Sequence, residues 1–441
     1  MTTTMIIALV IFVLTYALLL LLPKYRSIVA LCSAVIFSIW LSLINKDVQF
    51  TFKDIIGSID FNVLMMILGT MGIVVLFIES KMPMKIADFL LKKFKNVKLA
   101  VVSLAVLAGI VSAFIDNVAT VLMIAPVALA VCKKQEISPV KAIIAIAISS
   151  NLQGAATLVG DTTSILLGGY AGMNFLDFFF FKGRFSIFWA VEIGALLTVF
   201  VLLYIFRKDT QPVITSEPTK VTDYAPTILL LGVIVCLIAA SFLPKPTNSI
   251  LLTIYELRNG IICIILLLIG LIIYIAKNKN FEMSKKVIKD IDYNTLLLLA
   301  SLFVVIAGIE KAGLIGKLAE ALIAVGGNNL FLMYTLIVFA SVLISAFVDN
   351  IPYVLTMLPV ITRVAASMNV QPFVLYFGLL IGATLGGNIT PVGASANITG
   401  IGILRKEGYE VKAKDFMQLS IPITLVAVLS GYVIAWLTWG L

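Results

Sequence analysis

Residues 112–117 read SAFIDN and residues 345–350 read SAFVDN. Each copy closes one apolar run and opens another, VATVLMIAPVALAV after the first and IPYVLTMLPVI after the second. Neither Asp-Asn pair has a basic residue beside it in the sequence. An ionisable side chain in such surroundings is costly at membrane depth and marks function by default. Its repetition 233 positions later argues against accident. The rest of the chain repeats on that offset: Pro126 maps to Pro359, Thr157 to Thr390, and Val159-Gly160 to Val392-Gly393. IDFN (59–62) opens an apolar span in the first half, and IDYN (291–294) opens its counterpart. A fixed offset over this length is the mark of a duplication.

Composition sets the class. The chain has 441 residues, 61% hydrophobic and 12% charged, whereas soluble domains run at about 45–50% and about 25%. Many runs exceed the roughly 18 apolar residues of a bilayer-crossing helix. The first, MIIALVIFVLTYALLLLL, lacks a basic n-region and a small-residue cleavage site, and reads as a span rather than a signal peptide. The formal charge of +9 fits basic cytoplasmic loops better than nucleic-acid binding. Cys32, Cys132, Cys236 and Cys263 have no metal-ligand spacing and read as packing residues. There is no histidine, so any proton relay falls to carboxylates. The sequence holds no P-loop, HExxH or GxSxG motif, which disfavours ATP-driven pumping by this chain alone and enzyme chemistry.

The fold expected is an all-α polytopic membrane protein built of two inverted-topology repeats. Residues 1–206 form the first repeat, with spans at 4–22, 28–45, 61–80 and 186–206. Between them lie a lysine-rich amphipathic stretch (81–95), a helical hairpin (99–132) and a broken helix (139–169). Residues 207–225, polar and holding two prolines, form a cytoplasmic linker. The second repeat, 226–441, has spans at 226–243, 257–277, 293–310 and 416–439, a hairpin at 329–366 and a broken helix at 372–404. The hairpin arms are short for spans, so each hairpin is read as re-entrant. Each half then crosses five times, and an odd number inverts the second half. With both termini outside, the loops carrying Lys24 and Arg26, the lysines of 81–98 and those of 277–289 lie inside, as the positive-inside rule requires. The first hairpin then opens from the cytoplasm and the second from outside. The membrane is read as a bacterial cell membrane.

The tips supply Asp116, Asn117, Thr120, Asp349 and Asn350. Helix ends leave backbone groups unpaired, and at membrane depth these survive only in protein or along a cavity. The competing reading is that each Asp-Asn merely caps its second arm. The breaks GAATLVGDTTS (154–164) and GGNITPVGASAN (386–397) add Thr157, Thr162, Thr163 and Ser164, and Asn388, Thr390, Ser395 and Asn397. Such composition breaks helices and frees carbonyls, although small residues also serve close helix packing. Asn151 precedes the first break. Asp161 is unmatched, its counterpart being Ala394; it reads either as a proton or cation site or as a solvated loop residue. Na+ sites are expected near Asn117, Gly160, Asn350 and Gly393. No cofactor is expected beyond coupling to Na+ or H+. Glu192 lies within a span, Glu79 and Glu310 end matched spans, and the aromatic run FLDFFFFKGRF (175–185) reads as an interfacial anchor.

The stretches SAFIDNVATVLMIAPV, SNLQGAATLVGDTTSILLGGYAGMNFLDF and GATLGGNITPVGASANITGIG resemble the ion transporter superfamily. The resemblance is to the branch that includes arsenite-efflux permeases, the melanosomal P protein and sodium/proton antiporters. It implies an elevator-like motion, a homodimer, and in some members a soluble ATPase partner. Related divalent-anion/sodium symporters carry Ser-Asn-Thr where this chain has Asp116-Asn117-Val118 and Asp349-Asn350-Ile351. Carboxylates there repel a di- or tricarboxylate unless protonated or paired with cations. GDTTS also stands where members commonly carry a GDPPN-like stretch. The leading expectation is an ion-coupled secondary transporter that moves arsenite or antimonite outward. A sodium/proton antiporter follows, then a sodium-coupled di- or tricarboxylate carrier, and last a passive channel. The partners expected are membrane lipid and a small inorganic ion or anion.

Overall fold

Helix starts in the two halves are marked by matched side chains. Asn96 and Asn329 accept hydrogen bonds from Leu99 N (2.9 Å) and Leu332 N (3.1 Å), opening helices Val97–Ser112 and Leu330–Ser345. Asp60 and Asp292 accept from Val63 N (3.0 Å) and Thr295 N (3.1 Å), opening Phe61–Glu79 and Tyr293–Lys311. These caps satisfy N–H groups that have no partner inside the helix. The computed structural model describes residues 2–44, 50–94, 96–212 and 219–441. It is all-helical apart from a two-residue ribbon, Phe180–Phe181 paired with Arg184–Phe185. The ribbon lies in the aromatic run, where Phe181 stacks on Trp439 and meets Phe373 edge-on.

Among the described residues, eight helices are long and apolar enough to cross a membrane. Their outward surfaces carry exposed Leu14, Phe200 and Ile272, as expected of helices solvated by lipid. Two differences from the sequence reading emerge. The arm expected at 118–132 is an 18-residue helix, Asn117–Lys134, long enough to pass as a span. It gains length because Asp116 caps it at once and because it continues through Pro126. Leu314–Gly326 was not anticipated as a helix; it turns by 113° into Leu330–Ser345. Gly327, at φ +62, makes that corner, a conformation open to glycine. Leu314–Gly326 is the counterpart of the lysine-rich helix Met82–Lys93.

The breaks lie between Val140–Gly154 and Thr162–Ala171, and between a helix running from Phe373 to Leu385 and Ser395–Lys406. These segments form the centre: every residue from Ala142 to Gly154 is buried. Thr3–Leu21, by contrast, buries only Ala8, Thr15 and Leu19. Phe61–Glu79 and Arg258–Asn278 approach so closely that a Cβ on Gly69 would lie 2.5 Å from the Cys263 carbonyl carbon. Packing through small residues drives helix association where lipid offers no hydrophobic gain. Cys263, buried at this crossing, is a packing residue. The described ends of the polar segment after residue 206 are held: Gln211 O and Asp209 O accept from Val97 N and Lys98 N at 2.9 and 2.7 Å, and Thr219 N donates to Asp88 (2.7 Å); residues 213–218 of the expected linker lie outside the described residues.

Candidate functional site

Four helix N-termini meet in the middle of the molecule, those of Asn117–Lys134, Thr162–Ala171, Asn350–Ser367 and Ser395–Lys406. Three of these helices or their caps contribute side chains of one kind or another to a cavity of about 630 Å³ (Asp116, Asn117, Asp161, Thr162 and Asn350), and Ser395 comes from the fourth. Each N-terminus carries about half a positive charge. Four of them sum to about +2, which the carboxylates of Asp116 and Asp161 offset. The inner end of the cavity, at the four N-termini, is therefore close to neutral with both carboxylates ionised and gains a positive charge for each proton or cation they take up, while Asp290, Asp292 and the Glu79–Lys286 pair make the rest of the lining acidic.

Asp116 caps its helix by accepting from Ala119 N (3.1 Å) and has no ion-pair partner among the described residues. Asp161 is buried and accepts from Thr163 Oγ1 (2.7 Å); it is not a solvated loop residue. Asn117 Nδ2 donates to Asn151 Oδ1 (2.8 Å), and Asn151 Nδ2 donates to Thr384 O (2.8 Å). Thr384 Oγ1 in turn contacts Thr163 Oγ1 (2.8 Å). One buried chain of bonds thus runs from Asn117 to Asp161 through the second half. Asn151 and Thr384 lie 233 positions apart, so the bond between them joins equivalent places. Thr384 escaped the sequence reading, although its offset from Asn151 was the signal. Asn350 lines the cavity with no side-chain hydrogen bond among the described residues.

The other expected residues sit behind the cavity and hold its walls. Thr157 donates to Ala113 O and Thr390 to Ala346 O. Ser164 donates to Gly154 O (3.4 Å) and Asn397 to the equivalent Gly387 O (3.2 Å). Asn388 Nδ2 donates to Ile148 O (3.3 Å), and Thr120 Oγ1 to Asp116 O (3.0 Å). These side chains consume carbonyls that the sequence reading offered to a ligand. At Gly160 a Cβ would lie 2.6–2.7 Å from Gly154 O, Ala113 O and Ser112 O; at Gly393 it would meet Gly387 O, Ala346 O and Ser345 O at 2.5–2.8 Å. Carbonyls converge on both glycines. Beside the first, Ser112 Oγ is buried with no partner.

Asp349 corrects the expectation of two equivalent carboxylates facing a substrate. It caps its helix through Ile351 N (3.0 Å) and pairs with Arg26, Oδ2 to Nη1 at 2.5 Å. It does not line the cavity. Arg26 is distant in sequence and was read only as a loop charge, so no local signal revealed the pair. At the cavity mouth stand Asp290, Asp292, and Glu79 bonded to Lys286 (2.6 Å). The hydrogen bond to Glu79 raises the Lys286 pKa. The cavity meets the C-terminal end of Phe61–Glu79 and the N-terminal end of Tyr293–Lys311. A second pocket of about 360 Å³ meets the reverse ends of both helices, at Asp60 and Glu310.

A family model described as Citrate transporter matches residues 16–382. A 46 kDa membrane protein of Mycobacterium leprae is 30% identical over 98% of this chain and 99% of its own length. The P protein of Homo sapiens is 25% identical over 94% of this chain and 58% of its own length. Among solved structures, the YdaH transporter of Alcanivorax borkumensis superposes with a TM-score of 0.60 at 15% identity, covering 95% of this chain and 98% of that one. MtrF of Neisseria gonorrhoeae, described as an antimetabolite efflux pump, gives 0.56 at 13% identity, covering 94% of each. At such identities these two likenesses speak for the fold.

Proposed function

Since the chain belongs to the citrate transporter family, we propose that it is a secondary transporter in which H+ or Na+ taken up at Asp116 and Asp161 charges the site for its substrate. The observation that carries this reading is the convergence of four helix N-termini on two carboxylates that make no ion pair among the described residues, Lys286 in the same lining being bonded to Glu79. With both ionised, the near-neutral site suits an uncharged species such as arsenous acid. With both neutralised, the N-termini favour an anion. Na+ suits Ser112 O and Ser345 O, the carbonyls beside Gly160 and Gly393 that Thr157, Ser164, Thr390 and Asn397 leave unclaimed, together with the idle Ser112 hydroxyl, an oxygen-only donor set.

Two substrate classes follow. Arsenite or antimonite needs no companion ion for recognition and leaves coupling to a counter-moving proton. A citrate-like tricarboxylate, favoured by the family match, requires cations to travel with it. The opposed ends of Phe61–Glu79 and Tyr293–Lys311 at the two pockets support inverted repeats and alternating access, with the larger cavity open on the lysine-rich face. The test is flux into proteoliposomes of arsenite, Na+ and citrate in parallel, with and without an imposed pH gradient. Citrate flux that needs co-moving cations selects the second class, and arsenite flux driven by the pH gradient selects the first. Transport of each at a rate indifferent to every ion gradient would sink the coupled mechanism.

A further inference from the structure

Arg26 and Arg258 are 232 residues apart and each is the first residue of its helix, Arg26–Ile39 and Arg258–Asn278. Residues just after them meet equivalent asparagines. Ser27 Oγ donates to Asn294 Oδ1 (3.1 Å), and Gly260 N donates to Asn62 Oδ1 (2.8 Å); Asn62 and Asn294 are also 232 apart. The two charges are used differently. Arg26 holds Asp349 at 2.5 Å. Arg258 makes no ion pair among the described residues. Its Nη1 donates to Tyr255 O (2.7 Å), its guanidinium sits 3.9 Å over the Tyr255 ring, and its Nε is buried with no partner. It acts on Asp177 through its field without bonding to it. At the tip equivalent to Asp349, Asp116 makes no ion pair among the described residues either.

We infer that Arg258 is the partner of Asp116 in the alternate conformation, and that the transport cycle exchanges the Arg26–Asp349 pair for an Arg258–Asp116 pair. The inference rests on the alternating access proposed above. When two equivalent halves trade conformations, a contact made by one in this state is made by its counterpart in the other. A buried guanidinium N–H without a partner is unfavourable, and the exchange supplies one. It also keeps one tip pair in each state, so neither state gains much over the other. The free tip carboxylate changes place with the open face: Asp116 in this conformation, Asp349 in the other. Arg258 is thus a positioning residue for the ligand carboxylates.

The test uses single cysteines at Val75 and Ala307, equivalent positions beside the cavity and the second pocket,. They are placed in a chain whose four native cysteines are replaced, and labelled with a membrane-impermeant maleimide from each side of membrane vesicles. Arg26→Gln is expected to raise labelling at position 307 relative to position 75 by about fivefold, the effect of losing ~1 kcal/mol from one state. Arg258→Gln is expected to lower that ratio by about as much. Arg26→Lys and Arg258→Lys are expected to restore the parent ratio. An Arg258→Gln ratio equal to the parent's, or moved in the same direction as Arg26→Gln, overturns the exchange. If position 307 is never labelled while flux continues, alternating access itself fails. Size exclusion in detergent checks each fold, and Arg258→Met replaces Arg258→Gln if the latter does not fold.

Discussion

At the scale of single residues, the two tip aspartates separate into different roles. Asp116 faces the cavity and Asp349 faces Arg26, so substitution should tell them apart. Asp116→Asn removes a charge without changing size, and is expected to lower coupled flux about tenfold, ~1.4 kcal/mol in the barrier. It should also flatten the dependence of flux on pH or Na+ in proteoliposomes. Asp349→Asn leaves Arg26 uncompensated in a largely buried position. Breaking a buried pair costs about 3 kcal/mol or more, so this variant should show the larger loss of thermal stability in detergent. Flux from Asp116→Asn that keeps its full ion dependence would remove the carboxylate from coupling. The Asp-Asn pairs, the glycines and Asp161 were legible in sequence, because polar residues in apolar surroundings stand out. The partners Arg26 and Thr384 were not: one is a basic residue at a helix start with the look of an ordinary loop charge, the other lies inside an apolar run. Their roles arise only when the two halves are brought together.

At the scale of elements, the broken helices are held by side chains rather than left open. Thr157 and Thr390 perform the same task in each half, bonding the carbonyl just past Ser112 and just past Ser345. Thr157→Val and Thr390→Val should each lose about 1 kcal/mol of stability with modest change in substrate affinity. Gly160→Ala meets three backbone oxygens that cannot move aside and is expected to cost about 1–3 kcal/mol together with most of the flux. Comparing affinity with melting temperature across the three variants separates wall from ligand. Another element reads out pH. The Thr51 hydroxyl and N–H, with Lys311 behind them, hold the Asp54 carboxyl down at about 2. Its contribution is complete above the ordinary aspartate value of about 3.9 and is lost as pH falls through about 2. Hydrogen exchange across 52–58 in stepped acid should therefore show this helix intact at pH 4, and Thr51→Val should move its release to higher pH. Helix existence was legible from apolar runs and caps. Leu314–Gly326 was missed because it carries only Lys317, where its counterpart is announced by Lys85, Lys92 and Lys93.

At the scale of the whole molecule, sidedness links fold to function. Phe61–Glu79 and Tyr293–Lys311 are equivalent by offset, yet the cavity touches the last turn of one and the first turn of the other. A helix of 19 residues is about 28 Å long, enough to separate the two pockets by the thickness of a bilayer core. Equivalent helices that present opposite ends to one cavity are what the proposed inverted repeat predicts. The charge pattern favours one orientation. The cavity mouth lies beside Lys286, and the lysines of 81–98 and 277–289 flank the same helix ends; the positive-inside rule puts such a face in the cytoplasm. Single cysteines at Leu90 and Asn280 should accordingly react with an impermeant maleimide in inside-out vesicles and stay protected in intact cells. Reaction of both from outside would reverse the molecule and make the larger cavity an outward one. Reaction of one from each side would break the equivalence of the halves, and the pairing of Asp116 with Asp349 as counterparts would fall with it.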